Sequence, residues 1–202
     1  MSSTDIVNGL VKKSNAKLKF LYRYSKLLNK ATRKILCLAL IQGHLDYACM
    51  SWFYNTNTTL QSKLQIIQNK MARFILDLGP RDHVGHHELR KCGILNVKER
   101  VTQLSLNIVY NVFYGNCPAY FNSYYSKASQ SHSHDTRFSF FNFCVPKINS
   151  ITAKTFYYNA IKQWNNLPDH IRSSQTKIVF KSKIKKHLIK RSLDRENGLY
   201  VM

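Results

Sequence analysis

ATRKILCLALIQGHLDYACMSWF, residues 31–53, is the stretch on which the fold turns. Ile35, Leu36, Leu38, Ala39, Leu40, Ile41, Leu45, Tyr47, Ala48, Met50 and Trp52 leave it almost no polar face. A helix that is apolar all round belongs in an interior. Residues 31–53 are therefore expected to form one buried central helix, with Asn29 as break and cap in front of it. Its longest apolar run, Ile35–Ile41, falls far short of the roughly 20 residues a membrane span requires.

Working outward, the flanking segments carry helical periodicity. Val7, Leu10, Val11, Leu18, Leu21 and Leu28 recur on one face of a helix expected over 6–28. Lys12, Lys19, Arg23, Lys26 and Lys30 fall in a stripe on the opposite face, with no acidic residue among them. After the polar loop Asn55–Thr59, Leu60, Leu64, Ile67, Met71 and Ile75 mark a third helix, which Gly79-Pro80 is expected to end. A short helix over 84–92 closes at Gly93; 97–114 fits a helix through Val97, Val101, Leu104, Ile108 and Val112, while Leu104, Leu106, Ile108, Tyr110 and Val112 also alternate as in a strand, and its length and helical neighbours favour the helix.

Residues 122–136, NSYYSKASQSHSHDT, have the composition of a polar linker. Phe138, Phe140, Phe143 and Val145 alternate as one short strand before Pro146. Phe156, Tyr157, Ala160, Ile161 and Trp164 then mark a helix that stops at Asn165-Asn166-Leu167-Pro168. A last helix over 176–190 pairs a narrow stripe of Phe180, Ile184 and Leu188 with Lys177, Lys181, Lys183, Lys185, Lys186 and Lys190. The fold class expected is mainly α.

Charge narrows the function classes. The chain has 31 Lys plus Arg against 10 Asp plus Glu, a net charge of +21. Self-repulsion on that scale weakens a compact state, so it points to a polyanionic partner. The excess sits in residues 1–34 and 126–202, with a nearly neutral middle. Five cysteines, an odd number without a close pair, fit a reducing compartment, nuclear or cytoplasmic, better than a secreted framework.

The chemistry of catalysis is sparse. Seven Asp and three Glu stand singly, with no two adjacent, whereas a metal-dependent polymerase or nuclease clusters carboxylates around its cations. No Gly-x-Gly phosphate loop and no Gly-x-Ser-x-Gly elbow occurs. His86-His87 with Cys92, and Cys37 with His44 and Cys49, lack the two short ligand pairs of structural zinc sites. No catalytic residue, metal or cofactor is expected. Trp52 and Trp164 are expected in the core, which leaves Tyr124-Tyr125 beside Lys127 as the loop-borne stacking candidate.

Several blocks carry a resemblance to a known family. Ala39-Leu40-Ile41-Gln42-Gly43-His44-Leu45-Asp46-Tyr47 followed by Trp52 resembles a block in the reverse transcriptases of non-LTR retrotransposons, of the jockey-like and CR1-like groups. That block lies just beyond the polymerase core, in the thumb and its continuation. Leu64, Gln68, Ala72, Arg73 and Ile75 resemble the family's next helix, and Leu95 with Arg100 a later helix start. Arg137 and Phe141, Trp164-Asn165-Asn166-Leu167-Pro168, then Phe180-Lys181 and Leu188 are similar to its closing segment. Gly43 stands where the family often has Pro, and Glu99-Arg100 where paired arginines are frequent.

The resemblance implies a helical thumb-like bundle over 1–121, the linker 122–136 and a basic helical extension over 137–202. It implies a truncated or remnant retroelement chain, because the family's Phe/Tyr-Ala-Asp-Asp palm motif and endonuclease cluster do not occur in this sequence. The partner implied is RNA or DNA, a template–primer duplex in the parent enzyme, together with the palm domain. Sequence-independent phosphate binding is expected through Lys12, Lys19, Arg23, Lys26 and Lys30, and through Lys177, Lys181, Lys185, Lys186, Lys190 and Arg191. The alternatives are a degenerate fragment without function and a membrane-surface protein anchored through 176–190.

Overall fold

Polar residues at three chain breaks start the helices that organise the molecule. Ser2 accepts from the Asp5 amide at 3.2 Å while its own amide donates to Asp5 at 3.1 Å, a reciprocal cap that opens α1, Ser3–Arg23. The Ser2 hydroxyl, which donates to the Asp5 carboxylate at 2.7 Å, and then the Ser2 amide hold that carboxyl below its ordinary value. Asn29 accepts from the Thr32 amide at 2.9 Å and starts α2, Lys30–Cys37. Asn57 does the same for Leu60 at the start of α5, Thr58–Leu76.

The computed structural model describes residues 2–128 and 140–196, and it is mainly helical, with no strand among those residues. Besides α1, α2 and α5 it contains α3, Gly43–Asp46; α4, Cys49–Trp52; α6, His86–Cys92; α7, Val97–Phe113; α8, Phe156–Asn165; α9, Asp169–Arg172; and α10, Lys177–Glu196. The chain forms two compact units, residues 1–101 with 188–202 and residues 102–187. These limits fall inside α7 and α10. Linker residues 129–136, Arg137 and Phe138 lie outside the described residues.

In the first unit, α1 and α2 each pack on α5, and α5 packs on α6. Val7, Leu18, Leu21, Cys37, Ile41, Leu64, Ile67, Met71 and Ile75 are buried there. The expected single helix over 31–53 is in fact broken. Leu38–Gln42 form a π turn, α3 ends at Tyr47, and Ala48 takes a left-handed conformation (φ 47°) before α4. Nor is this segment buried all round: Ile35 is 65% exposed and Tyr47 80%. Apolar content predicted burial, but Ile35 lies on the open side of α2, ahead of both breaks, and Tyr47 stands at the bend itself.

α5 likewise ends before the expected Gly79-Pro80 stop. Asp77 takes the left-handed position (φ 59°), and its amide donates to the Arg73 carbonyl. Gly93 (φ 70°) closes α6 as expected, its amide donating to the Arg90 carbonyl at 2.8 Å.

The second unit is built on rings. Trp164, Phe143 and Phe180 are buried, with Phe113 at 5.5 Å and Phe180 at 5.9 Å from the indole, centroid to centroid. Tyr110 stacks on Phe180 at 4.5 Å and donates its hydroxyl to the Ser174 carbonyl at 2.8 Å. The expected strand around Phe140–Val145 is absent among the described residues, where one isolated antiparallel bridge pairs Lys127 with Phe143. Side chains take the place of a ladder. Asn165 accepts from the Phe143 amide at 3.0 Å and donates to its carbonyl at 2.8 Å, and the Trp164 indole donates to the Phe141 carbonyl at 2.7 Å.

Candidate nucleic-acid interface

Helical geometry decides which of the expected cations share a surface. α1 buries Val7, Ser14, Leu18 and Leu21. At about 100° per residue, Lys12, Lys19 and Arg23 fall within a narrow sector on the opposite side, and all three are exposed. None of them makes a hydrogen bond or ion pair with the described residues. No acidic residue lies between Asp5 and Asp46, so nothing nearby in the chain neutralises the stripe.

Lys26 and Lys30 do not extend it as expected. α1 ends at Arg23, Ser25–Leu27 form a 3-10 turn, and Asn29 begins a separate helix. Lys26 therefore sits on the turn and Lys30 at the first position of α2, both exposed but off the α1 sector. Arg33 fixes that corner by donating to the Ser25 carbonyl at 2.7 Å, the Leu28 carbonyl at 3.0 Å and Asp77 at 2.6 Å. Its guanidinium is thus occupied structurally.

Other cations of the first unit are also committed to the fold. Lys17 donates to the Leu40 carbonyl at 3.0 Å and meets His44 Nε2. Lys63 reaches Asn8 and Lys70 reaches Asn15, both side chains of α1. With Lys17 committed, the stripe and exposed Lys13 are the α1 charge that packing leaves over.

Beside it stands a feature that the sequence reading overlooked. Phe20 and Tyr24 are 54% and 46% exposed, with ring centroids 5.2 Å apart. The signal was an aromatic pair at i and i+4 alternating with Lys19 and Arg23. The expected loop-borne pair fares differently: Tyr125 is buried, Lys127 lies over the Phe113 ring at 4.5 Å, and Tyr124 alone is exposed. Trp52 and Trp164 are core residues, as expected.

The second group of cations lies along α10. Phe180, Ile184 and Leu188 are fully buried, so the narrow apolar stripe is real. Lys177, Lys181 and Lys186 are exposed in the second unit, whereas Lys190 and Arg191 belong to the first. Lys185 and Arg191 are half-buried and have partners of their own, which makes them poorer phosphate ligands than their neighbours. Lys183 donates to the His170 carbonyl at 2.7 Å.

Several residues of the family-like blocks meet in one polar network in the first unit. Gln68 donates to Gln42 at 3.0 Å, Gln42 donates to Asp46 at 2.8 Å, and Arg100 grips Asp46 through Nε at 3.1 Å and Nη2 at 2.7 Å. The two sets considered for zinc do not assemble: among the described residues no group of three or more His, Cys, Asp or Glu is placed to hold a metal ion. No helix of the described residues is long and apolar enough to cross a membrane. No protein-family model matches the chain, and neither the curated proteins nor the solved structures yield a match.

Proposed function

We propose that these residues derive from the thumb and post-polymerase region of a non-LTR retrotransposon reverse transcriptase and bind RNA or DNA through its phosphates without reading sequence. The observation that carries the reading is the α1 stripe of Lys12, Lys19 and Arg23, exposed and unpaired among the described residues. Lys177, Lys181, Lys186 and Lys190 on α10 offer further contacts of the same kind. Binding rather than catalysis is the activity proposed. The meeting of Gln42, Asp46, Gln68 and Arg100 supports the kinship, since residues of three family-like blocks then share one structural task.

The test is the salt dependence of oligonucleotide affinity. Each phosphate neutralised contributes about 0.7 to the slope of log K against log salt for a single strand and about 0.9 for a duplex. Three contacts on α1 then give a slope near −2 to −3, and shuffled sequences bind alike. K12A, K19A and R23A should each reduce the slope by nearly one contact. Weak binding that ignores salt would sink the proposal.

One observation favours a second reading, a degenerate fragment without function. Ile35 and Tyr47 are largely exposed, as helices that lost a packing partner would be. Residues Leu106, Val109, Tyr110 and Val112 of α7 are buried and argue the other way. A broad, non-cooperative urea transition of the first unit by itself, followed through Trp52 fluorescence in W164F, would favour the fragment.

A further inference from the structure

We infer that the α1 surface takes single-stranded nucleic acid, with Phe20 and Tyr24 as a platform on which unpaired bases stack while Lys19 and Arg23 hold the adjoining phosphates. This rests on the phosphate-binding reading above and deepens it. Large rings on a basic surface serve a partner that offers both negative charge and flat apolar faces. An unpaired strand offers both, and every base has a π-face, so stacking of this kind tolerates any sequence. A duplex keeps its bases stacked inside and presents mainly phosphate and groove edges.

Three observations converge. Phe20 and Tyr24 are about half exposed although each is large enough to anchor a core, and their rings lie in contact, 5.2 Å between centroids and tilted 58° to one another, so each offers its own face to a base. Lys19 and Arg23 each immediately precede one of the rings in sequence, so each ring has a cation beside it over the end of α1 and its C-cap Tyr24. Ala16, one turn before Phe20, is small and exposed, which leaves room over the ring. The aromatic residues of the cores, Trp52 and Trp164 among them, are buried and unavailable for this purpose.

The experiment compares a base-bearing single strand with an abasic strand of equal length, by fluorescence anisotropy at one salt concentration. The two probes carry the same phosphates, so their difference isolates stacking. The wild-type chain should favour the base-bearing strand by about tenfold or more, given roughly 1–3 kcal/mol per stacked base. F20L/Y24L should remove most of that preference while leaving abasic affinity and the salt slope unchanged. K19A/R23A should weaken both strands and flatten the slope.

A second readout does not depend on the double variant. In F20W the new indole is exposed, unlike Trp52 and Trp164, and its fluorescence should be quenched by the base-bearing strand and not by the abasic one. Equal loss on both strands in F20L/Y24L, no loss at all, or an unquenched F20W overturns the stacking platform and leaves phosphate binding standing. Failure of the wild-type chain to bind either strand overturns phosphate binding itself, and the platform with it.

Discussion

The two units solve the same problem, fixing helices around a core, with different materials. In residues 1–101 with 188–202 the core is mainly aliphatic, from residues such as Val7, Leu64 and Ile67 with Trp52, Phe53 and Phe74 among them, and it is registered by a polar chain from Gln68 through Gln42 and Asp46 to Arg100. In residues 102–187 the core is aromatic, and α8 pins an irregular segment through Trp164 and Asn165. Aliphatic packing is nearly non-directional, so the first unit needs hydrogen bonds to select one arrangement. Rings carry their own geometric preference, and the second unit uses polar groups chiefly to hold backbone.

The largest effect expected from this contrast is at Trp164. Truncation to alanine removes a fully buried indole and both its hydrogen bond and its ring contacts, a loss of about 3–5 kcal/mol. Hydrogen exchange followed by mass spectrometry should show protection lost across 102–187 and kept in α5. Loss that spreads evenly over both units would break the comparison, because it would make them one cooperative body.

A smaller effect is expected at Asp46. D46A removes an acceptor shared by the Arg100 guanidinium and the Gln42 amide. Both members of the pair are partly solvated, Arg100 at 34% and Asp46 at 21% side-chain exposure, so the cost should be about 2 kcal/mol, below that of breaking a fully buried pair. The urea midpoint should fall, with exchange accelerated in α5 and the residues 38–52. D46N, which keeps the acceptor oxygen, should recover part of the loss. If D46A is silent, the network is incidental and aliphatic packing alone registers the first unit.

How legible this was depends on the range over which each feature is decided. α5, α8 and α10 were readable because buried positions recur every three or four residues, α7 through its length although burial there runs nearly all round the helix, and Gly93 because a left-handed cap favours glycine. The bend at Ala48 and the cap at Asp77 were not, since a left-handed alanine or aspartate is imposed by surrounding packing and carries no local mark. The missing strand is a long-range effect: Asn165 satisfies Phe143 from 22 residues away. At the candidate site, periodicity put Lys12, Lys19 and Arg23 on one exposed face of α1. It overran into Lys26 and Lys30 because Tyr24 and Ser25 give no breaker signal, and it passed over Phe20 and Tyr24 because apolar residues were read only as core.

The thiols sharpen the comparison with the smallest perturbation. Cys37, Cys49 and Cys92 are buried in the first unit, while Cys117 and Cys144 in the second are half-buried. Burial pushes Cys37 up to about 12 and Cys49 up to about 11, and raises Cys92 as well. Because the thiolate is the reacting form, iodoacetamide at pH 8 should label Cys117 and Cys144 well before the other three. The sign for stability follows. A group whose value is raised by folding contributes fully below its ordinary value, 9.0 for these thiols, and that contribution is lost as pH climbs toward 11 and 12. In the second unit the groups raised by burial are Tyr110, Tyr114 and Tyr157, whose ordinary value is 10.0, so its window opens about a unit higher. Trp52 reports the first unit in W164F, and Trp164 reports the second in W52F. Between pH 9 and 10 the urea midpoint seen by Trp52 should drop while that seen by Trp164 holds, and the reverse order would mean that the buried thiols do not govern the alkaline limb.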